Sequence, residues 1–387
     1  MNRWRALVIL AAVFCLTHVC SSAPQSPPQK KATVAATSLD EGGLLLGMYF
    51  PSAASWDDLT HLSTNDDTKW APGISAEPHG RYLTFWISRH GDTLKIQAID
   101  GLFVPRASGF WHVGTSIVKS DQDPDSNYDE QFWSAPAGQK SKLSAGSNGE
   151  IDGTSVRLIT YVGPQYLGYL FHWQGGAGDW EYMYPHVASL DELGTDRSIE
   201  QVLGPERGAE YKLLAKSLDH MNDPPSENGE PCNCCNSVEN EWGIMHAEDS
   251  WQAYARFQYG PSSSCAQASQ DHVLNGVLPR SIASGGKLER PWDVLRAEVE
   301  AVSKSEQGSV RHLFVSPKRD LAVAVSTHGL IVLGLQNSHV SSVLKTQAFD
   351  NPCIPVMEQW SLGRFVDTWD AAIQKQPSAD IPHTENP

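Results

Sequence analysis

Short runs that alternate apolar and polar residues, separated by Gly, Pro, Asn or Asp, recur along most of the chain. Residues 81–88 (RYLTFWIS) and 93–99 (TLKIQAI) flank His90-Gly91-Asp92, which predicts a β-hairpin. Runs at 101–104 and 110–118 continue that meander through a Pro/Gly turn. Further pairs are predicted at 156–162 with 166–173, and at 239–246 with 251–259. The clearest set is 310–315, 321–326 and 330–335, where Leu321, Val323 and Val325 alternate with Ala322, Ala324 and Ser326.

Helical spacing is rarer. Pro291 suits a first helical position, with Trp292, Leu295, Val299 and Val302 following on one face. Tyr211, Leu214 and Leu218 predict a second short amphipathic helix. A last helix is expected from about Pro355, with Leu362, Val366, Trp369 and Ile373 on its apolar side. The fold class is therefore mainly β with a few helices, built of antiparallel sheets in a propeller-like or sandwich arrangement. A faint repeat points to the propeller: Val104-Pro105, Val162-Gly163-Pro164 and Val315-Ser316-Pro317 each close a similar run. The spacings of their valines fit a unit of about 50 residues, the size of a longer propeller blade.

The first segment breaks this pattern. Arg3 and Arg5 precede the apolar run Ala6 to Leu16, and Ser21, Ser22 and Ala23 follow. That order predicts a secretory signal peptide over 1–23, cut after Ser22 or Ala23. The apolar run is too short to span a bilayer. Cys20 raises lipid anchoring, but Thr17-His18-Val19 lacks the small residues of a lipoprotein site. Residues 24–38 are a Pro-rich linker, 39–376 a single β-rich domain, and 377–387 a flexible tail. The expected location is secreted or periplasmic, with no membrane span in the mature chain.

Composition narrows the partner. With 29 Lys+Arg against 45 Asp+Glu the net charge is −16, and no basic run offsets it, which argues against nucleic acid. At 40% hydrophobic and 19% charged, the chain is neither a disordered tail nor a coiled coil.

Chemistry is sparse. No nucleophile elbow, phosphate loop, H-E-x-x-H or dinucleotide glycine motif is present. The acidic stretch 121–127 lacks the Gly and terminal Glu of a calcium loop. Beyond the leader, Cys232, Cys234, Cys235, Cys265 and Cys353 are disulfide candidates under oxidising conditions, and five thiols cannot all pair. Cys232, Cys234 and Cys235 alternatively form a thiolate metal grip, although no paired C-x-x-C or H-x-x-x-H completes a four-ligand set; His246 and His272 lie nearest and carry no motif. Trp173, Asp179 and Trp180 flank a Gly-rich loop and are the ligand-binding candidates, set against the core-filling role common for large aromatics. No cofactor is expected. The leading expectation is a non-catalytic binding or interaction protein with an unknown ligand or protein partner. Its competitors are a secreted carbohydrate-active hydrolase with paired carboxylates in a Trp-lined cleft, and a thiol-based metal handler.

Overall fold

The computed structural model describes residues 41–51, 80–119, 128–139, 142–143, 153–174, 181–219, 241–259, 268–274, 278–279, 282–287, 290–303, 308–349 and 353–381. Strands dominate them. Sheet I takes β1 (Gly42–Phe50), β2 (Arg81–His90) and β3 (Thr93–Asp100), and the distant β19 (Ile354–Leu362) completes it in the order β19-β1-β2-β3. Sheet II begins with β4 (Leu102–Arg106), β5 (Gly109–Lys119), β6 (Tyr128–Pro136) and β7 (Lys142–Leu143). It continues with β8 (Thr154–Val162), β9 (Tyr166–Gln174), β10 (Glu181–Ser189) and β11 (Glu192–Asp196). Two helices follow, α1 (Ile199–Leu203) and α2 (Pro205–Asp219). Sheet III is β12 (Trp242–Ala247), β13 (Ser250–Tyr259) and β14 (Ala268–Leu274). After α3 (Trp292–Ser303), sheet IV is β15 (Val310–Val315), β16 (Leu321–Ser326), β17 (Gly329–Gln336) and β18 (His339–Ala348). Helix α4 (Arg364–Ile373) follows β19.

Every strand pair is antiparallel except a short parallel joint, Tyr128↔Thr154 and Asp129↔Ser155, that welds β6 to β8. Without that joint sheet II is two successive meanders, β4–β7 and β8–β11. The three repeated valines then fall on equivalent strands: Val104 on β4, Val162 on β8 and Val315 on β15, each the first strand of its meander.

Packing follows from the side-chain alternation. Leu44, Leu46, Leu83, Phe85 and Ile87 of sheet I meet Val323, Val325, Leu330 and Val332 of sheet IV. The opposite face of sheet I, with Leu45, Trp86 and Ile99, packs on Phe103, Val113, Ile159 and Leu167 of sheet II. Tyr161 and Val187 of sheet II meet Trp242, Ile244 and Ala253 of sheet III, where Tyr211 of α2 also packs. Sheet III returns to sheet IV through the ring of His246 against Phe314 and the hydrogen bond from Leu313 N–H to Glu248 O at 2.8 Å. The contacts among the described residues thus run I–II–III–IV and back to I, a mostly β fold of several antiparallel sheets. Ala322 and Ala324, on the other face of β16, are covered by Leu295 and Val299 of α3.

Glycine placement makes one of these faces possible. A Cβ on Gly43 would sit 2.1 Å from the Trp86 ring, so only glycine at this position lets the indole pack against β1.

Two expectations are corrected. The helix expected from Pro355 is the strand β19, and helix begins only at Arg364; Leu362 belongs to the strand. Of the expected stripe, Val366 and Ile373 are buried on α4 and Trp369 packs beside them, while Val356 and Met357 are buried as strand residues beside β1. The tail expected to be loose from 377 continues onto sheet I as far as 381: Ala379 N–H donates to Ala98 O at 3.0 Å, and Ile381 packs on the I–IV core. Cys353, one of five disulfide candidates of which one must stay unpaired, is a free thiol with its Sγ 3.5 Å from Met48 Sδ; no disulfide occurs among the described residues.

Candidate functional site

Two places bring distant segments together. The first is buried. Glu358 projects from β19 and is only 5% exposed. One carboxyl oxygen accepts the Trp251 indole N–H at 2.9 Å, and the other accepts that of Trp360 at 2.6 Å. Burial pushes its pKa up to about 7, against the lowering effect of those two donors. The segment 282–287 closes over it: Ser284 Oγ donates to the Glu358 carbonyl at 3.3 Å, and a Cβ on Gly285 would lie 2.1 Å from Oε1. Tyr161 of β8 anchors the same segment, its hydroxyl donating to Ile282 O at 3.0 Å.

Beside Trp251 lies a histidine pair. His246 of β12 and His312 of β15 are buried with their Nδ1 atoms 3.2 Å apart. Burial depresses both, His312 to about 3, aided there by Arg311, and His246 further through the His312 charge. Each is therefore neutral near pH 7, one nitrogen donating and the other accepting. This centre is a polar clasp among sheets I, II, III and IV. Its hydrogen-bonding groups point at one another rather than at open space.

Other buried carboxylates are also engaged. Glu130 accepts the Arg157 backbone N–H at 2.8 Å and is pushed up by burial, while Asp129 is paired with Arg157. Asp370 of α4 accepts from Trp86 and contacts His90 Nε2 at 2.6 Å, which ties that helix to β2.

The second place opens to solvent at one end of sheet IV. Leu335 and Val315 form its floor with Leu295 of α3, and Lys287, Arg290, Arg319 and Ser338 surround them. The cleft is narrow and open to solvent, with enclosed room for little more than a water molecule. Its walls are built by turns with defined chemistry. Asn337 and Ser338, at φ 51° and 62°, are the two central residues of the β17–β18 hairpin, a mirror-type turn that needs both to be left-handed. Arg319 is left-handed as well, at φ 61°, in the turn closed by its N–H on Ser316 O at 2.9 Å. Segment 282–287 is pinned there too, because Gly286 N–H donates to Val315 O at 2.7 Å. The Gly-Gly step thus links the buried clasp to the cleft, with Lys287 immediately beyond it.

The residues nominated from sequence are elsewhere. Trp173 lies half-buried on β9, across from Ser155 and Tyr182. Asp179, Trp180, Cys232, Cys234, Cys235 and Cys265 lie outside the described residues, as does the acidic stretch 121–127. Of the nominated residues that are described, neither Trp173 nor Cys353 lines the cleft or hydrogen-bonds to Glu358. Sequence reasoning noted His246 but not its partner His312, which lies 66 positions away and carries no local motif. Among the described residues no group of His, Cys, Asp and Glu is arranged to hold a metal ion, and no helix is long and apolar enough to cross a membrane.

Comparison with known proteins adds no assignment: no family model, curated protein or solved structure matches the chain.

Proposed function

We propose that this chain is a non-catalytic binding protein working outside the cytosol, and that its recognition surface is the cleft at the end of sheet IV. The carrying observation is the convergence of three separate turns on one concave spot. Two of them are held by left-handed residues that are not glycine, Arg319 and Ser338. Such conformations cost roughly 1 kcal/mol or more each and persist where surrounding structure enforces them. The sheet beneath is rigid by composition, since all six residues of β16 are buried. Loops on a stiff scaffold are the usual place for recognition. Export rests on the leader pattern of residues 1–23, which lie outside the described residues.

The test is a panel screen of the mature protein against peptides, glycans and small metabolites, repeated with Ser338→Trp, which fills the cleft mouth. A ligand that binds the parent and not S338W, with both proteins melting cooperatively, supports the reading. Ligands that bind both equally place recognition elsewhere.

A second reading, a secreted carbohydrate-active hydrolase, is favoured by one observation. A carboxyl titrating at about 7 between two indoles has the proton a general acid needs. It requires a second carboxylate about 5–10 Å away and a substrate path past Gly285. Glycosidase activity lost in Glu358→Gln would establish it; the same activity retained in that variant would remove it.

A further inference from the structure

Segment 282–287 lies along the outer side of β19, the edge strand of sheet I. The Ser284 hydroxyl takes the place of a neighbouring strand there: it accepts the Trp360 N–H at 3.3 Å and donates to the Glu358 carbonyl at 3.3 Å. The segment is anchored at both ends. The Ile282 and Ala283 N–H groups donate to Pro279 O at 2.8 and 3.0 Å, and Ile282 O accepts the Tyr161 hydroxyl. Gly286 N–H donates to Val315 O at 2.7 Å. Between the anchors, Gly285 approaches the Glu358 carboxyl so closely that a Cβ would meet Oε1 at 2.1 Å.

We infer that segment 282–287 is a pH-dependent strap, seated over Glu358 while that acid carries its proton and lifted when the acid ionises. The inference concerns the strap and its acid, and needs no ligand in the cleft.

The surroundings of Glu358 favour its neutral form. It is nearly sealed from water, and among the described residues no cation is paired with it; its oxygens meet the indole N–H groups of Trp251 and Trp360. The other titratable groups on that side are uncharged at pH 7. Tyr161 of β8 keeps its proton, raised first by burial and then by Glu358. Beyond the Trp251 ring, whose centroid lies 5.0 Å from that of His246, sits the neutral histidine pair of β12 and β15. Burial therefore outweighs the two indole donors and carries the acid from 4.5 up to about 7. An ionised Glu358 needs water, and lifting the strap admits it while breaking only a few hydrogen bonds. Every other wall is a strand within a sheet. Once open to water, the acid returns toward its ordinary value. One-proton linkage then makes strap opening more favourable by up to about tenfold per pH unit between 4.5 and 7, and level above 7.

Amide exchange of the full chain between pH 5 and 8.5, corrected for the intrinsic exchange rate, reads this opening at Ile282, Ala283 and Gly286, with the β16 amides reporting global unfolding. Strap protection should stay below that of β16, fall by up to about a hundredfold from pH 5 to 7, and level off above. In Glu358→Gln, which is uncharged throughout, strap protection should not change with pH. Ser284→Ala keeps the acid and removes the edge bridge, so it should lower protection roughly tenfold at every pH while keeping the parent's slope. Strap protection independent of pH in the parent, or an equal slope in E358Q, overturns the inference. So does strap protection equal to that of β16, because the opening is then global. Should E358Q fail to fold, S284A decides: protection unchanged from the parent, or a lost slope, overturns the strap.

Discussion

Glu358 concentrates the residue-scale physics of this protein. A buried acid whose ordinary pKa of 4.5 is raised to about 7 holds a proton in the folded state that the unfolded chain has already released. Its contribution to stability is therefore complete below pH 4.5, declines as pH rises, and is lost by about pH 7, a change on the order of 3 kcal/mol. The histidines run the other way. His312, depressed from 6.5 to about 3, contributes stability that is present above pH 6.5 and lost as pH falls toward 3. The two slopes oppose each other between pH 4.5 and 6.5, so the difference between parent and variant isolates each. Glu358→Gln turns an amide N–H₂ or carbonyl toward two indole donors and leaves one of them unpaired, costing about 1–3 kcal/mol at pH 5. That deficit should shrink as pH rises from about 4.5 to 7 and level off above it, because only the parent then carries a buried charge. Denaturant melts at several pH values check it; a deficit constant from pH 5 to 8 contradicts the buried acid. His312 itself should remain neutral down to about pH 4 in an NMR titration, and a midpoint near 6.5 would show that the pair is wetter than described.

Elements carry the next layer. The two glycines that open β1 behave differently, although they are neighbours: nothing lies within 4 Å of a Cβ on Gly42, whereas one on Gly43 meets Trp86 at 2.1 Å. Gly43→Ala should cost about 1–3 kcal/mol by forcing the indole from its site, and Gly42→Ala should change stability by less than about 0.5 kcal/mol. Equal effects in thermal melts would contradict the packing of sheets I and II. Helix α4 is held by Asp370 through Trp86 and His90, so Asp370→Ala should loosen it at a cost of about 2–4 kcal/mol, read as faster amide exchange in 364–373. How far sequence reached is clear at this scale. Hairpins with a turn signal and a two-residue period, such as β2–β3 and β15–β17, were legible. β18 was not, because its exposed Ser, Thr and Lys residues give no apolar period. β19 read as a helix because VMEQWSL carries apolar residues at both spacings, and only its pairing with β1 decides. The candidate sites were less legible still. Glu358, Trp251 and Tyr161 meet only because strands from three sheets converge, and no local motif records a convergence of that kind.

At the scale of the whole molecule, the central arrangement is a succession of sheets closed on itself, with β19 returning to β1 and sheet III returning to sheet IV. Its central polar groups, Glu358 and the His246–His312 pair, are held in internal hydrogen bonds. The mouth beside Lys287, Arg290 and Arg319 is the place among the described residues where turns, cations and a concave apolar floor coincide. The direct measurement is amide-exchange mapping of the protein with and without a saturating ligand from the panel screen. Binding in the cleft predicts slowed exchange confined to segments 284–290, 316–321 and 335–340, absent in S338W. Protection centred on any other segment, or protection that persists in S338W, would contradict it.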